Sequence, residues 1–422
     1  MTNEATIQKE VRSRLDRVQR ALRSYAPSAI LIVCSATRKS ITRDLHYNFH
    51  QDSDFYYLTE SVIQGCTLVV GADGKRVVFA PEHSKHALLW EGRGESAENL
   101  ARRVKATLLR SSDHAGAIQK EFRGMSHLFY PNGNGQAGFS LAQRILSQPS
   151  HQRGGAPISL THSDAILEPL RLRKSPYEIA HHKKAVEISH GALLATRHII
   201  APGVTERLVA ETLEHEIRVR GGEVAFPTIV GGGENGATLH HTPSARKLKK
   251  GELVLIDFGA SYQGYAADIT RMLGVGGAVP QKVQEVYDLV LSIQEEITRI
   301  IKPNKDWRSY YERCSENLLK GLRELKVLRG DLKSLRKKGT IKEYFPHSLG
   351  HTLGLDVHDV GGFRSQGGRK LAPGMLLTVE PGLYFPKSTR SLPAFGIRIE
   401  DDILVTRTGA KNLTEEISKA LF

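Results

Sequence analysis

The chain has 422 residues, of which 40% are hydrophobic and 25% charged, enough to fill ordinary cores in two domains, or in one small and one large domain. Its longest strongly apolar stretches, such as "AILIVC" and "LVLID", fall far short of the roughly 20 residues of a membrane helix, and "MTNEATIQKEVRSRLDR" carries no apolar segment behind its charges, so neither a membrane span nor a signal peptide is expected. The net charge of +14 concentrates in "LRELKVLRGDLKSLRKKGTIKEYF" and "TPSARKLKKGE", where no aromatics alternate with the lysines, so solvated faces are expected ahead of a nucleic-acid surface.

Val11, Leu15, Val18, Leu22 and Tyr25 recur at spacings of three and four and predict a helix over 8–25. "SAILIVCS" reads as a buried strand, and the aromatic run "DFYYLTE" as a buried strand and turn. "CTLVV" and "RVVFA" read as strands joined by a turn at "GADGK", and "HLFYPNG" as a strand before a helix in "AGFSLAQRILSQ". This alternation predicts a small α/β domain over 1–168. Cys34, Cys66 and Cys314 are widely spaced, odd in number and free of CxxC spacing, which argues against a disulfide framework and a thiolate metal site and fits a cytoplasmic protein.

A second domain is expected over 169–422. It opens on a long helix with Ser175 as cap, Pro176 at the first helical position and Glu178 in the capping-box place. Thr205 caps another helix that ends in two glycines. From "VAFPTIVGGGENG" onward short strands alternate with Gly, Pro and Asn turns. The domain therefore reads as α+β, with helices outside and polar residues carried on inner strands.

Those polar residues need an explanation. Asp257 closes the apolar run "LVLI", Asp268 lies in the return strand beyond "SYQGY", Glu380 follows "MLLTV", and Glu400 sits between "GIRI" and "DDILV". A carboxylate in an apolar strand is costly to bury unless a positive charge compensates it. Separate strand-end caps would account for any one of them; four, together with the glycine-flanked histidines of "HSLGHTLGLDVHD", point to two divalent ions bound by carboxylates and an imidazole. His347 and His351 lie four apart, on one face if the segment is helical or across a turn if its glycines break the helix. Ser348 stands where a zincin would need glutamate, which removes that class.

In this order, "TLHHTP", "DFGASYQGYAADITR", "HSLGHTLGLDVHD", "LTVEPGLYF" and "GIRIEDD" resemble the pita-bread metallopeptidases, in particular the Xaa-Pro aminopeptidase branch of the creatinase and prolidase group. "YNFHQDSDFYYLTE" and "LLWEGR" resemble the amino domain of aminopeptidase P, so the resemblance spans nearly the whole chain. It implies a C-terminal pita-bread fold behind a smaller α/β domain. It also implies that Asp257 chelates one metal, Asp268 and Glu400 bridge two, and His351 and Glu380 complete the set. Glu380 is implied as general base, His240 and His358 as partners of the substrate carbonyl and oxyanion, and His347 as a further pocket histidine. Arg398 would orient a ligand carboxylate, Tyr384 and His347 would line the proline pocket, and Trp90 would reach a neighbouring subunit's site. One departure is Ser348, where many relatives have glycine; altered local hydrogen bonding without loss of metal is expected.

The activity implied is removal of the first residue from peptides with proline second, by two divalent ions, manganese first, with cobalt, zinc and iron also accepted by such ligands. A homodimer or homotetramer is implied. Alternatives are a prolidase confined to Xaa-Pro dipeptides, an inactive peptide-binding or protein-binding member of the fold, and a methionine aminopeptidase, which usually lacks such an amino domain. The basic segment 323–342 reads as a solvated helix pair.

Overall fold

The structure is a computed structural model that describes residues 3–43, 45–81, 94–131, 136–147, 159–363, 369–390 and 392–421. Two units, Met1–Arg171 and Leu172–Phe422, each have their own core.

The first unit opens on the helix Glu4–Tyr25, capped by the Asn3 side chain, with Val11, Leu15, Val18 and Leu22 buried along one stripe. Its strands are β1 (Ala29–Cys34), β2 (Ser40–Thr42), β3 (Leu45–His46), β4 (Thr67–Gly71), β5 (Arg76–Ala80), β6 (Thr107–Arg110), β7 (His127–Tyr130) and β8 (Ser159–His162). Six of them form one mixed sheet in the order β6-β5-β4-β1-β7-β8, while β2 and β3 pair as a separate hairpin. β1 and β4 are almost wholly buried, which is why they read as unbroken apolar runs. "DFYYLTE" departs from expectation: Ser53–Thr59 is helical, with the Asp52 carboxylate accepting from the Phe55 N–H and Phe55, Tyr57 and Leu58 buried. The cap and the burial of one helical side outweigh the strand preference of three aromatics.

In the second unit the helix Pro176–Arg197 carries the full Ser175–Glu178 capping box, and Thr205 caps the helix Glu206–Val219. The strands follow as β9 (Glu223–Val224), β10 (Ile229–Gly232), β11 (Leu253–Phe258), β12 (Ala260–Tyr262), β13 (Tyr265–Ala266), β14 (Ile269–Gly274), β15 (Leu376–Val379), β16 (Gly382–Phe385), β17 (Phe395–Arg398), β18 (Asp401–Val405) and β19 (Ala410–Asn412). They form the small sheets β10-β11-β14, β13-β12-β9, β15-β18-β19 and β16-β17. The helices Gln281–Ile300 and Trp307–Glu324 pack on these sheets through Val286, Val290, Ile297, Cys314 and Leu318. Beyond them the helix Leu332–Lys338 buries only Leu335, and its basic side chains stay outside the core, as a solvated segment requires.

Candidate metal and active site

Two strand pairs bring the acidic residues together. In the hairpin of β11 and β14, Asp257 lies opposite Thr270 and Phe258 opposite Ile269, so Asp268 enters the return strand just beyond that register. On the other side, β15 pairs with β18 through Val379 and Asp401, and β16 pairs with β17 through Gly382 and Arg398. Glu380 and Glu400 occupy the facing breaks between those pairs. The Glu400 N–H donates to Thr270 O at 3.2 Å, which ties the two systems to each other.

The histidine segment is extended, not helical. The Thr378 N–H donates to His351 O and the Glu380 N–H to Leu349 O, both at 2.9 Å, so residues 349–351 lie along β15. A Cβ on Gly350 would stand 2.0 Å from Thr378 O, which is why the segment is glycine-rich. The four-residue spacing of His347 and His351 is therefore a strand-and-turn relation. The His351 Nδ1–H donates to Thr352 O at 3.1 Å, which leaves Nε2 with its lone pair toward Asp268 at 3.3 Å and Glu380 at 3.7 Å.

Donor atoms of Asp268, His351 and Glu400 lie within 4.8 Å of one another. Burial, then the charges of Asp257, Asp402 and Glu380, pushes the Asp268 carboxyl well above the usual range. Burial, then Asp268, Glu380 and Asp257, does the same to Glu400. Burial also raises Glu380, against the pull of His351 and Arg398. Carboxylates crowded in this way keep their charge only beside added positive charge. Among the described residues, Asp257 Oδ1 is moreover buried without a hydrogen-bond partner, an expensive condition unless an ion takes it. An oxygen-rich set with one imidazole fits divalent cations.

Beside this cluster runs a hydrogen-bond chain with its direction settled by chemistry. Arg398 donates from Nη1 to Tyr384 Oη at 3.0 Å, and His347 Nε2 lies 2.8 Å from the same oxygen. His347 Nδ1 is 2.7 Å from Ser348 O, a carbonyl that only accepts, so Nδ1 carries the proton and Nε2 receives the tyrosine O–H. Any residue at 348 would supply that carbonyl. Burial and the Arg398 charge push His347 down to about 3, so the ring stays neutral. Arg398 also holds Asp257 Oδ2 at 2.5 Å and donates from Nε to Thr270 Oγ1, which in turn donates to Glu400 Oε2 at 2.6 Å.

His358 is exposed, with its ring 4.3 Å from that of His351, and His240 is exposed on the segment after the 3-10 turn Gly233–Ala237. Trp90 lies outside the described residues. Asp402 and Lys174 are among the positions missed by the sequence reading. Asp402, fully buried, accepts from the Asp268 N–H at 3.3 Å and faces His182 Nε2 at 3.1 Å. Lys174 holds Asp359 at 2.7 Å, next to His358. The signal for Asp402 was its place two residues beyond Glu400 in "EDD", on an apolar strand; nothing local marked Lys174.

Residues 180–407 match metallopeptidase family M24, and residues 15–127 match the aminopeptidase P N-terminal domain. The chain belongs to metallopeptidase family M24. This M24 chain is 33% identical over 419 residues to the Xaa-Pro aminopeptidase of Escherichia coli (strain K12), across 96% of this chain and 94% of that protein. To the mitochondrial intermediate cleaving peptidase 55 of Arabidopsis thaliana it is 32% identical over 405 residues, across 93% and 78%. Among solved structures, proline aminopeptidase P II from Yersinia pestis matches with a TM-score of 0.91 at 34% identity, over 100% of this chain and 98% of that one. The expected architecture holds: a mixed α+β M24 pita-bread domain behind an aminopeptidase P-type amino domain.

Proposed function

We propose that this M24 chain removes the first residue from peptides with proline in the second position, and that Asp257, Asp268, His351, Glu380 and Glu400 hold two divalent ions for that reaction. The observation that carries this is the convergence of the Asp268, His351 and Glu400 donors within 4.8 Å in a chain 33% identical to an Xaa-Pro aminopeptidase along almost its full length. The protein is a metal-dependent aminopeptidase, and its substrates are peptides.

Bound divalent cations supply Lewis acidity and ready deprotonation of water. Glu380 receives the proton of the attacking water and passes it to the prolyl nitrogen, which leaves as a secondary amine. His240 and His358 donate hydrogen bonds to the oxyanion. Arg398 keeps Asp257 oriented, and the Tyr384 and His347 pair forms a fixed, neutral wall against the proline ring, which has no N–H and one φ value to fit. Trp90 is assigned to a neighbouring subunit's site, within a homodimer or homotetramer. Manganese is the assigned ion because hard oxygen donors dominate the set. The free cysteines Cys34, Cys66 and Cys314 support a cytoplasmic location. The amino domain is taken as 1–168 and the catalytic domain as 169–422.

The test strips the protein of metal, restores manganese and follows release of the first residue from an Xaa-Pro-Xaa tripeptide, an Xaa-Pro dipeptide and an Xaa-Ala-Xaa control, with Asp268→Ala as blank. Manganese-dependent cleavage of the proline tripeptide alone is expected. Cleavage of the dipeptide alone would make the protein a prolidase, and no cleavage with two ions bound would leave a peptide-binding member of the fold. Sedimentation of the same sample reads the oligomer.

A further inference from the structure

Glu206 is the first residue of the helix Glu206–Val219, yet its side chain is fully buried. It accepts five hydrogen bonds. Oε1 takes the Gly232 N–H and Asn235 Nδ2, each at 2.9 Å; Oε2 takes His241 Nε2 at 2.9 Å, the Ser244 N–H at 3.1 Å and Ser244 Oγ at 2.7 Å. The adjoining turn is pinned to the same place, because the Glu206 N–H donates to Arg246 O and the Arg207 N–H to Ser244 O. One carboxylate therefore gathers both ends and the middle of the segment from Gly232 to Ser244.

That segment carries His240. Its near end, the turn Gly233–Ala237, lies backbone to backbone on β17: a Cβ on Gly396 would stand 1.9 Å from Gly236 O. β17 leads directly to Arg398 and Glu400. The turn is thus held between β17 on one side and Glu206 on the other, with His240 exposed between the anchored Asn235 and the anchored His241. Five donors converging on two oxygens demand an ionised, acceptor-only group. Asparagine, serine and histidine can reverse their roles, but the Gly232 and Ser244 backbone N–H groups cannot, and they sit on opposite oxygens. A glutamine at 206 must therefore turn its NH2 against one of them and release one end of the segment.

We propose that Glu206 is a positioning residue of the reaction: its carboxylate fixes the segment Gly232–Ser244 and thereby sets His240 toward the substrate carbonyl. This rests on the reading of His240 given above. Among the described residues, the Glu206 carboxylate hydrogen-bonds Gly232, Asn235, His241 and Ser244 and none of the metal cluster, so its effect passes through the segment it holds.

The test is a double-mutant cycle on the metal-loaded full chain, with kcat and KM for an Xaa-Pro-Xaa tripeptide, metal content and a thermal melt for each protein. Glu206→Gln is expected to lower kcat by about 10²-fold, the scale of a misplaced catalytic group, with metal content and KM little changed. In the His240→Ala background the same change is expected to cost less than about twofold, because the group it positions is gone. If Glu206→Gln fails to fold, Ser244→Ala, which removes one side-chain donor, replaces it in the cycle, with a loss of about fivefold expected on the wild type and none on His240→Ala. A full loss on top of a slow His240→Ala enzyme would overturn the proposal and leave the reading of His240 standing. Wild-type kcat in His240→Ala would overturn both.

Discussion

Asp402 shows how much of this site rests on residues that are not themselves donors to a metal. It is buried, it accepts the Asp268 N–H, and His182, whose Nδ1–H donates to Ala266 O at 2.8 Å, faces it from behind. Fixing the Asp268 backbone fixes where that carboxylate points, and loss of such outer support typically costs about 10- to 100-fold in metal affinity. Asp402→Asn is expected to weaken metal binding on that scale, read by calorimetric titration of the metal-free protein, while the melting temperature of the metal-free form moves little. Unchanged affinity would make Asp402 a packing residue. At this scale the sequence was informative wherever a charge interrupted an apolar strand, as at Asp257 and Glu400. It was silent for Thr270 and Thr378, ordinary strand residues that take their meaning from a partner across the sheet.

At the scale of elements, two buried ion groups hold irregular chain against the strands. Lys174 and Asp359 pair at 2.7 Å with side chains each 2% exposed, and Thr352 Oγ1 donates to Asp359 O at 2.7 Å, so the loop bearing His358 is closed on itself and on the start of the second unit. Removing the cation from a buried pair typically costs about 3–5 kcal/mol. Lys174→Met is expected to lose that much in urea unfolding, with kcat falling further than stability alone explains. The second group is Asp401, which gathers Arg271, Lys419, Gln294, Asn412 and Thr414 and so binds the C-terminal segment to the strand after Glu400. Burial works against its charge, but Arg271 and Lys419 outweigh it and hold the carboxyl down at about 2 from the usual 3.8. A depressed folded pKa contributes stability that is present above the unfolded value and is lost as pH falls through the folded one. The contribution, about 2 kcal/mol, is thus complete above pH 4 and disappears toward pH 2. Unfolding free energies measured across that window should fall more steeply in the wild type than in Asp401→Asn; equal slopes would refute the assignment. The helix at "DFYYLTE" belongs to this scale too, since a cap and a buried face decided it against the residues' own preference.

For the whole molecule, metal and fold are linked. Asp268, Glu380 and Glu400 have raised carboxyl pKa values without metal, so the metal-free fold is favoured at acid pH and loses that support as pH rises. Bound cations reverse the trend by replacing protons. Adding manganese at about a hundred times its dissociation constant should stabilise the protein by about 2.7 kcal/mol; at one fixed manganese concentration the stabilisation should be larger at about pH 7.5 than at about pH 5.5, and the protons released on binding should be more at the lower pH. A thermal shift that is flat with pH would contradict this picture.

What the sequence by itself determined was the local and the periodic: the apolar stripe of the first helix, the capped helices at Ser175 and Thr205, the apolar strands, and the odd carboxylates lodged in them. Spacing and chemistry within a few residues suffice for those, and ordered motifs were enough to point to the family. Only the tertiary structure decided that "HSLGHT" lies extended along β15, that Arg398 reaches Asp257 and Tyr384 at once, and that one glutamate holds the chain around His240. Each of those depends on partners far apart in the chain, and burial alone sets which polar groups must find one another.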